Sequence, residues 1–334
     1  MEKEDIHIEQ AIIHILDSSV AVPVLSDTEL ELDSEVKDFI KGHIFKILSS
    51  DDFKECFFQE EENAIYTQIK NYTRENFIAS SKIMAENLFE IMKTNVEIPS
   101  ADLIISVFKL FNKQYLALLK MNYKSSYIHY VESIESETVN SIIKQRAALP
   151  TESQKLEEAI IIDLENYSIK LLEKKYPING QKENYLSLYY LQSGGSLSAK
   201  TKLNIINKTV EQINKKYFND DVEQKIEVKK AIIEEYEETG SIVVNTLADK
   251  IFEKQPEVKQ EFKEKIEKYG FKDEPVSCQT KTATKKLEKQ TIKTETGIEI
   301  NIPVEQYGNK EAIEFITNAD GTISLIIKNI YGIN

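Results

Sequence analysis

The residues from Leu103 to Val131, LIISVFKLFNKQYLALLKMNYKSSYIHYV, form the densest apolar run in the chain. A polar turn at Phe111–Gln114 divides this run into two segments. Both segments contain consecutive aliphatic residues instead of a strict apolar–polar alternation, which indicates strands that are buried on both faces. The β-branched and aromatic residues at 127–131 indicate a third strand. The run therefore predicts a central sheet around which the first part of the chain folds.

The distribution of charge along the chain restricts where nucleic acid can bind. The 334 residues carry a formal net charge of −14, and nine basic and 21 acidic side chains fall within residues 1–100. This segment would repel a phosphate backbone, because Lys and Arg supply most of a protein's affinity for DNA. Residues 101–200 and 201–334 have net charges of +1 and −3. Any direct contact with DNA is therefore expected after the first hundred residues.

Length and hydropathy favour a two-domain cytoplasmic protein. A chain of this length usually folds as two domains. Its apolar runs are far shorter than a membrane span, and the charged start at Met1–Asp5 differs from a secretory signal. Only two cysteines occur, Cys56 and Cys278, and neither has neighbours at metal-ligand spacing. We therefore expect no membrane contact, and two structural thiols in a reducing compartment.

Hydrophobic periodicity places further elements around the central sheet. Strands are predicted at 6–16, 159–164 and 167–172, and helices after Asp33, over 74–93 and over 136–146. Residues 51–62 are predicted to form a loop or a short helix. The first domain is therefore expected to contain a central, mainly antiparallel sheet with flanking helices.

The pattern changes at the glycines 194 and 195, and we place the domain boundary there, between 1–193 and 194–334. Apolar stripes with a helical period predict helices in the first part of the second domain. Alternating apolar residues on both sides of Asn318–Gly321 predict a β-hairpin near its end. The chain as a whole is expected to be an α+β protein, whose second domain has helices followed by a small antiparallel sheet.

The octapeptide GGSLSAKT at 194–201 is the sharpest indication of an enzyme. It lies between a predicted strand and a predicted helix, where phosphate-binding loops occur. Such a loop needs glycine before its lysine so that backbone N–H groups can surround the phosphates, and Ala199 stands there instead. The alternative interpretation is a linker and a helix start capped by Ser196 or Ser198. An enzyme acting on nucleotides or nucleic acid through this degenerate loop stays an alternative function.

Other residues with catalytic or metal-binding chemistry are scattered. The four histidines, His7, His14, His43 and His129, lack the spacing of zinc ligands. No nucleophile motif with a neighbouring base occurs. The sequence therefore predicts no metal, no cofactor and no catalytic residue, although its many acidic residues would conceal a carboxylate site.

Two segments are candidates for direct DNA contact. Residues 245–269 predict two short helices with a tight connection, as in helix-turn-helix modules. The lysines of the second helix alternate with glutamates at i,i+4 spacing, which favours a helix whose charges pair with one another.

The other candidate is the segment 281–293, which has a net charge of +4 in an acidic chain. Its threonines can donate hydrogen bonds to phosphate oxygens. The alternative interpretation is an exposed linker before the final sheet. If DNA is bound directly, we predict contact by this segment with help from the helix after the glycines. The lysines concerned are Lys200, Lys202, Lys281, Lys285, Lys286, Lys289 and Lys293.

Five segments follow one another along the chain in an order found in a known family. They are IEQAIIHILD (Ile8–Asp17), YLALL (Tyr115–Leu119), SAK (Ser198–Lys200), LADK (Leu247–Lys250) and DGTISL (Asp320–Leu325). On these segments, nearly the whole chain resembles the bacterial nucleoid-associated protein family known as NdpA. The resemblance implies a cytoplasmic protein that associates with the bacterial chromosome and has no known catalytic reaction. It supplies no defined DNA-contacting residues.

The leading hypothesis is therefore a non-enzymatic nucleoid-associated protein. It would bind DNA weakly or associate with the chromosome through other nucleoid proteins, because its acidic first domain departs from a protein that simply coats DNA. A further alternative is an acidic protein-interaction module. A homodimer formed through an exposed strand edge is compatible with this sequence.

Overall fold

A computed structural model of the chain describes residues 1–59, 62–134, 137–219, 222–278, 289–293, 296–303, 306, 309, 311–319 and 322–330. The chain divides into two compact units, Met1–Ser196 and Leu197–Asn334. The first unit contains helices, a large antiparallel sheet and two small two-stranded sheets, and the second contains helices with small antiparallel sheets. The predicted α+β class is confirmed.

The first unit is built on a seven-stranded antiparallel sheet. Its elements in chain order are β1 (Ile6–Leu16), α1 (Ser34–Leu48), β2 (Lys54–Phe58), α2 (Ala64–Lys70), α3 (Phe77–Thr94), β3 (Ala101–Leu110), β4 (Lys113–Asn122), β5 (Lys124–Ile134), β6 (Glu137–Ala148), β7 (Glu158–Asp163), β8 (Ile169–Leu172), β9 (Tyr176–Ile178), β10 (Gln181–Glu183) and β11 (Ser193–Gly195). The strands of the sheet follow the order β1-β3-β4-β7-β8-β2-β11, and every neighbouring pair is antiparallel.

Strands β3 and β4, the second and third of the seven, are buried on both faces, as their consecutive aliphatic residues predict. On one face, Ile105 and Leu118 belong to the same buried cluster as Leu88 of α3. On the opposite face, Ile104 belongs to a cluster with Ile44 of α1. Successive residues of a strand point to opposite faces, so each helix covers one set of side chains. The run that begins at Leu103 therefore organises two separate hydrophobic layers.

A buried ion pair joins two neighbouring strands of this sheet. Lys120 of β4 is directly opposite Glu158 of β7, and its Nζ lies 2.9 Å from Glu158 Oε2. The two side chains are 2% and 0% exposed. Asn122 and the hydroxyl of Tyr176 also donate to Glu158 Oε2, at 2.9 and 3.0 Å. Charges at this depth are tolerated because they are paired and hydrogen-bonded.

Strands β5 and β6 form a separate two-stranded antiparallel ribbon, which we call the ribbon arm. All described side chains at 127–133 and 138–147 are exposed, so both faces of the ribbon arm meet solvent. The strand predicted at 127–131 is confirmed as part of β5, although it lies outside the central sheet. The helix predicted at 136–146 is wrong, because β6 takes its place. The β-branched residues at 138, 139, 142 and 143 favour this extended conformation.

A second prediction, the loop or short helix at 51–62, is also wrong, because this segment contains β2. Only Cys56 of its five residues is buried, so the local apolar pattern is weak. The strand is held by pairing with β8 on one side and with β11 on the other. Pairing with distant strands overrides local preference here. As a result, Gly194 and Gly195 belong to the sheet of the first unit.

The second unit contains helices followed by two β-hairpins. Its elements are α4 (Ala199–Tyr217), α5 (Val222–Thr239), α6 (Val244–Ile251), α7 (Pro256–Glu267), β12 (Lys289–Lys293), β13 (Glu299–Pro303), β14 (Ile313–Thr317) and β15 (Ile323–Ile327). Ile206 and Val210 of α4 share a buried cluster with Leu247 of α6 and Phe262 of α7. The hairpins pair β12 with β13 and β14 with β15. The predicted order of helices and antiparallel strands is confirmed.

Candidate nucleic-acid interface

Helices α6 and α7 form the helix pair predicted at 245–269. Two lysines of α7 are directed at α6: Nζ of Lys259 and of Lys263 lie 2.6 and 2.9 Å from Asp249 Oδ1. Hydrogen bonds from these two lysines lower the pKa of the Asp249 carboxyl. A helix that reads DNA directs its cations at phosphates and base edges. In this pair the two cations are directed at a carboxylate instead.

A second carboxylate joins α7 to the end of α4. Glu261 lies 2.6 Å from Lys216 Nζ and 3.6 Å from Lys265 Nζ. It also accepts a hydrogen bond from the Tyr217 hydroxyl at 2.6 Å. The hydrogen bond from Lys216 is the main cause of the lowered pKa of Glu261. Two cations of this part of the helical surface are therefore paired with one carboxylate.

Lys200 and Lys202 lie in the first turn of α4, but only Lys200 is exposed. Lys202 is 5% exposed, and its Nζ lies 2.5 Å from Glu274 Oε2. The same ammonium group is 5.8 Å from the centre of the Phe271 ring. The interior of the second unit thus holds one of the two lysines that we predict to contact DNA from this helix.

The other predicted DNA contacts belong to the segment 281–293. Lys281, Lys285 and Lys286 lie outside the residues that the structure describes. Lys289 and Lys293 are the first and last residues of β12. The positive charge of this segment stays a prediction from the sequence, and its final part forms the first strand of a hairpin.

The glycines of the predicted phosphate loop have a role inside the sheet of the first unit. Gly195 is opposite Cys56, and a Cβ at Gly195 would lie 2.4 Å from the carbonyl oxygen of Glu55. The N–H of Ser196 donates to that same carbonyl at 3.0 Å. Further on, Ser198 caps α4 by accepting a hydrogen bond from the Thr201 N–H. This geometry favours the capped helix start over a loop whose N–H groups surround a phosphate.

Exposed acidic side chains lie on both helices that cover the sheet of the first unit. They include Glu35 and Asp38 of α1 and Glu86 and Glu90 of α3. Such groups repel a phosphate backbone. Across the described part of the chain, no cluster of three or more His, Cys, Asp or Glu side chains is placed to hold a metal ion.

The helices of both units differ from membrane-spanning segments. Among those that the structure describes, none combines the length and the hydropathy that crossing a bilayer requires.

A family of known proteins matches nearly all of this chain. A profile of the family described as nucleoid-associated protein YejK matches residues 12–332. No curated protein matches the chain. Because the family match covers nearly all of its residues, this protein belongs to the nucleoid-associated protein YejK family, which is the NdpA family that its sequence resembles.

Proposed function

We propose that this protein associates with the chromosome mainly through protein partners, that its direct contact with DNA is weak, and that it catalyses no reaction. Membership of the family supports the nucleoid-associated role itself. The finer proposal is carried by the pairing of lysines in the second unit. Seven of the lysines that the structure describes there lie 2.6 to 3.6 Å from a carboxylate: Lys216, Lys250, Lys259, Lys263, Lys265, Lys272 and Lys328.

Pairing reduces what these lysines contribute to DNA affinity. That affinity depends on cations that neutralise phosphates and release the counterions of DNA. A lysine bonded to a carboxylate must first give up that partner, and the carboxylate left behind repels the phosphate. The acidic helices of the first unit add further repulsion. We therefore assign the weak direct contact to the segment 281–293, where the sequence concentrates positive charge.

Capture of partners before and after nuclease treatment tests the main part of this proposal. The full chain is used as bait in a bacterial lysate, and bound proteins are compared with and without digestion of nucleic acid. We expect most of them to remain after digestion, because protein surfaces hold them. Loss of all bound proteins on digestion would instead indicate that DNA is the main ligand.

The salt dependence of DNA binding tests the assigned segment. The variant Lys285→Glu/Lys286→Glu should lower the affinity and reduce the slope of log K against log salt, by about 0.9 for each phosphate that is no longer neutralised. The control Lys208→Glu/Lys215→Glu makes the same charge change at exposed positions of α4. Equal effects of both variants would show that total charge matters and that this segment has no special role.

Titration calorimetry with a nucleotide tests the proposal that this protein catalyses no reaction through the segment 194–201. ATP with magnesium should give no heat of binding to the full chain, because the N–H of Ser196 is already bonded within the protein. A heat that disappears in the variant Lys200→Ala would revive the enzyme alternative.

A further inference from the structure

The ribbon arm exposes more apolar surface than a solvated ribbon needs. Seven large apolar side chains on it are between 41% and 77% exposed: Tyr127, Ile128, Tyr130, Val131, Val139, Ile142 and Ile143. They lie on both faces, because directly opposed pairs such as Ile128–Ile143 and His129–Ile142 alternate between the two sides.

This exposure indicates an interaction surface. An isolated two-stranded ribbon is only marginally stable in water, because it lacks a face that is buried on a core. Soluble monomers rarely expose contiguous apolar patches of more than about a few hundred Å². Both outer edges of the ribbon arm also lack a neighbouring strand within the described residues. A partner that covers these groups would therefore stabilise the ribbon arm.

The charges of the ribbon arm are separated along its length. Lys124, Lys144 and Arg146 lie at the end that joins the central sheet, and all three are exposed. Glu132 is exposed towards the opposite end, and the sequence places two more glutamates, Glu135 and Glu137, directly after β5. Because three basic and three acidic residues occur within 124–148, the net charge is zero.

We propose that the ribbon arm pairs with the ribbon arm of a second copy of this chain, in antiparallel orientation. In this arrangement Glu132 of each copy lies near Lys144 and Arg146 of the other. Lys144 is opposite Tyr127 and Glu132 is opposite Val139, so the two-fold axis passes near the pair His129–Ile142. The apolar side chains that precede and follow this pair along the ribbon arm become buried. This inference goes beyond the proposed function, which requires no dimer.

Charge favours a second copy over nucleic acid. A ribbon that enters a DNA groove needs an excess of positive charge to neutralise phosphates. The ribbon arm has no net charge and carries acidic residues at one end, so it lacks that excess. A surface with opposite charges at its two ends is complementary to itself when one copy is reversed. Isologous contact of this kind closes as a dimer, because each patch is used once.

The mass in solution is the first test. The full chain should have twice its 38.5 kDa mass in light scattering at micromolar concentration. In a trimmed chain the residues Tyr127–Lys144 are replaced by Asn-Gly, which joins the opposed pair Ser126–Gln145 through a two-residue turn. The trimmed chain should be a monomer with an unchanged circular dichroism signal from its helices. A full chain that is monomeric at every concentration would overturn the proposal, even if its ribbon arm captured DNA or another protein.

Charge reversal tests the antiparallel contact. Glu132→Lys and Lys144→Glu/Arg146→Glu should each weaken self-association by about tenfold or more, because like charges then face each other in both halves of the dimer. A mixture of the two variants should regain the association of the unmodified chain as a heterodimer. Failure of the mixture to do so, with both variants folded, would refute this orientation.

Cross-linking tests the same orientation without relying on charge. Both native cysteines, Cys56 and Cys278, are buried. The variant Ser141→Cys places a thiol near the proposed two-fold axis, so oxidation should give a covalent dimer. Ser133→Cys places it towards the far end, where an antiparallel pair keeps the two copies apart by about 25 Å. Preferential cross-linking through position 133 would show parallel arms and overturn the proposal.

Discussion

The strand pairs β3–β4 and β5–β6 follow each other directly in the chain, yet one lies inside a core and the other in solvent. Ile105 and Leu118 are opposite each other in the first pair, and they are 0% and 1% exposed. Ile142, at the middle of the second pair, is 77% exposed. Helices α1 and α3 cover the two faces of the first pair, whereas both faces of the ribbon arm meet solvent. An apolar strand pattern therefore predicts a strand, but it does not predict which layer will cover it.

The largest effect is expected when a lysine is removed from the covered pair. Lys120→Met leaves the fully buried carboxylate of Glu158 without its ion-pair partner, which should lower the free energy of unfolding by about 3–5 kcal/mol. The matched change in the ribbon arm, Lys144→Met, alters an exposed side chain and should cost less than about 0.5 kcal/mol. Urea unfolding followed by circular dichroism measures both.

The double variant Lys120→Met/Glu158→Leu is the control for this prediction. It removes both charges, so most of the stability should return. If it is as unstable as Lys120→Met, poorer packing is the cause and the unpaired charge is not.

The next largest effect concerns pH and a histidine of the covered sheet. His14 is fully buried, its Nδ1 accepts a hydrogen bond from the Ser26 N–H, and its Nε2 lies 3.0 Å from Ser81 Oγ. Burial lowers the pKa of His14 from 6.5 to about 4. Between these values the unfolded chain binds a proton that the folded chain does not. Stability should therefore fall as pH falls from 6.5 to 4, by about 3 kcal/mol in total.

Unfolding free energies measured at several pH values check this expectation. The variant His14→Gln lacks the titrating group, so its stability should change less across the same window. Identical pH profiles for this variant and the unmodified chain would show that other groups cause acid unfolding.

A smaller effect is expected at the edge of the covered sheet. Gly195→Ala places a Cβ against the backbone of Glu55, at 2.4 Å, so the strand β11 must shift and the free energy of unfolding should fall by about 1–3 kcal/mol. Gly194→Ala meets the flexible side chain of Gln59 first, at 2.6 Å, and should cost less. Thermal unfolding of the two variants provides the comparison, and equal destabilisation would contradict the assigned role of Gly195.

The smallest effect is expected from trimming the ribbon arm. Replacement of Tyr127–Lys144 by Asn-Gly removes no residue of either hydrophobic layer of the sheet. The stability of the monomeric first unit should therefore change by less than about 1 kcal/mol. Urea unfolding at a concentration below the dimer range checks this, and a decrease of several kcal/mol would mean that the ribbon arm supports the sheet.

The sequence predicts those elements whose local pattern of apolar and capping residues is sufficient to specify a strand or a helix. Strands β3 and β4 have consecutive aliphatic residues, and α1 begins after Asp33, which accepts a hydrogen bond from the Val36 N–H. Strand β2 has no such pattern, because Phe57 is 60% exposed and only Cys56 is buried. Its structure depends on β8 and β11, which come far later in the chain. Pairing over such a distance leaves no signal in the local sequence.

The candidate site shows the same limit for charged residues. The sequence places Lys200 and Lys202 on one helix but does not indicate the partner of either, and Glu274 lies 72 residues beyond Lys202. The lysines of α7 are easier to interpret, since their i,i+4 glutamates already indicate paired charges. Even there the main partner, Asp249, belongs to the preceding helix.

The contact of Gly195 with β2 has a further consequence for the chemistry of this protein. Gly195 of β11 lies against the thiol of Cys56, and burial of this thiol in the core raises its pKa to about 11. At neutral pH only about one molecule in ten thousand then carries the reactive thiolate. Peroxides and alkylating reagents should therefore react slowly with Cys56 while β11 remains paired with β2.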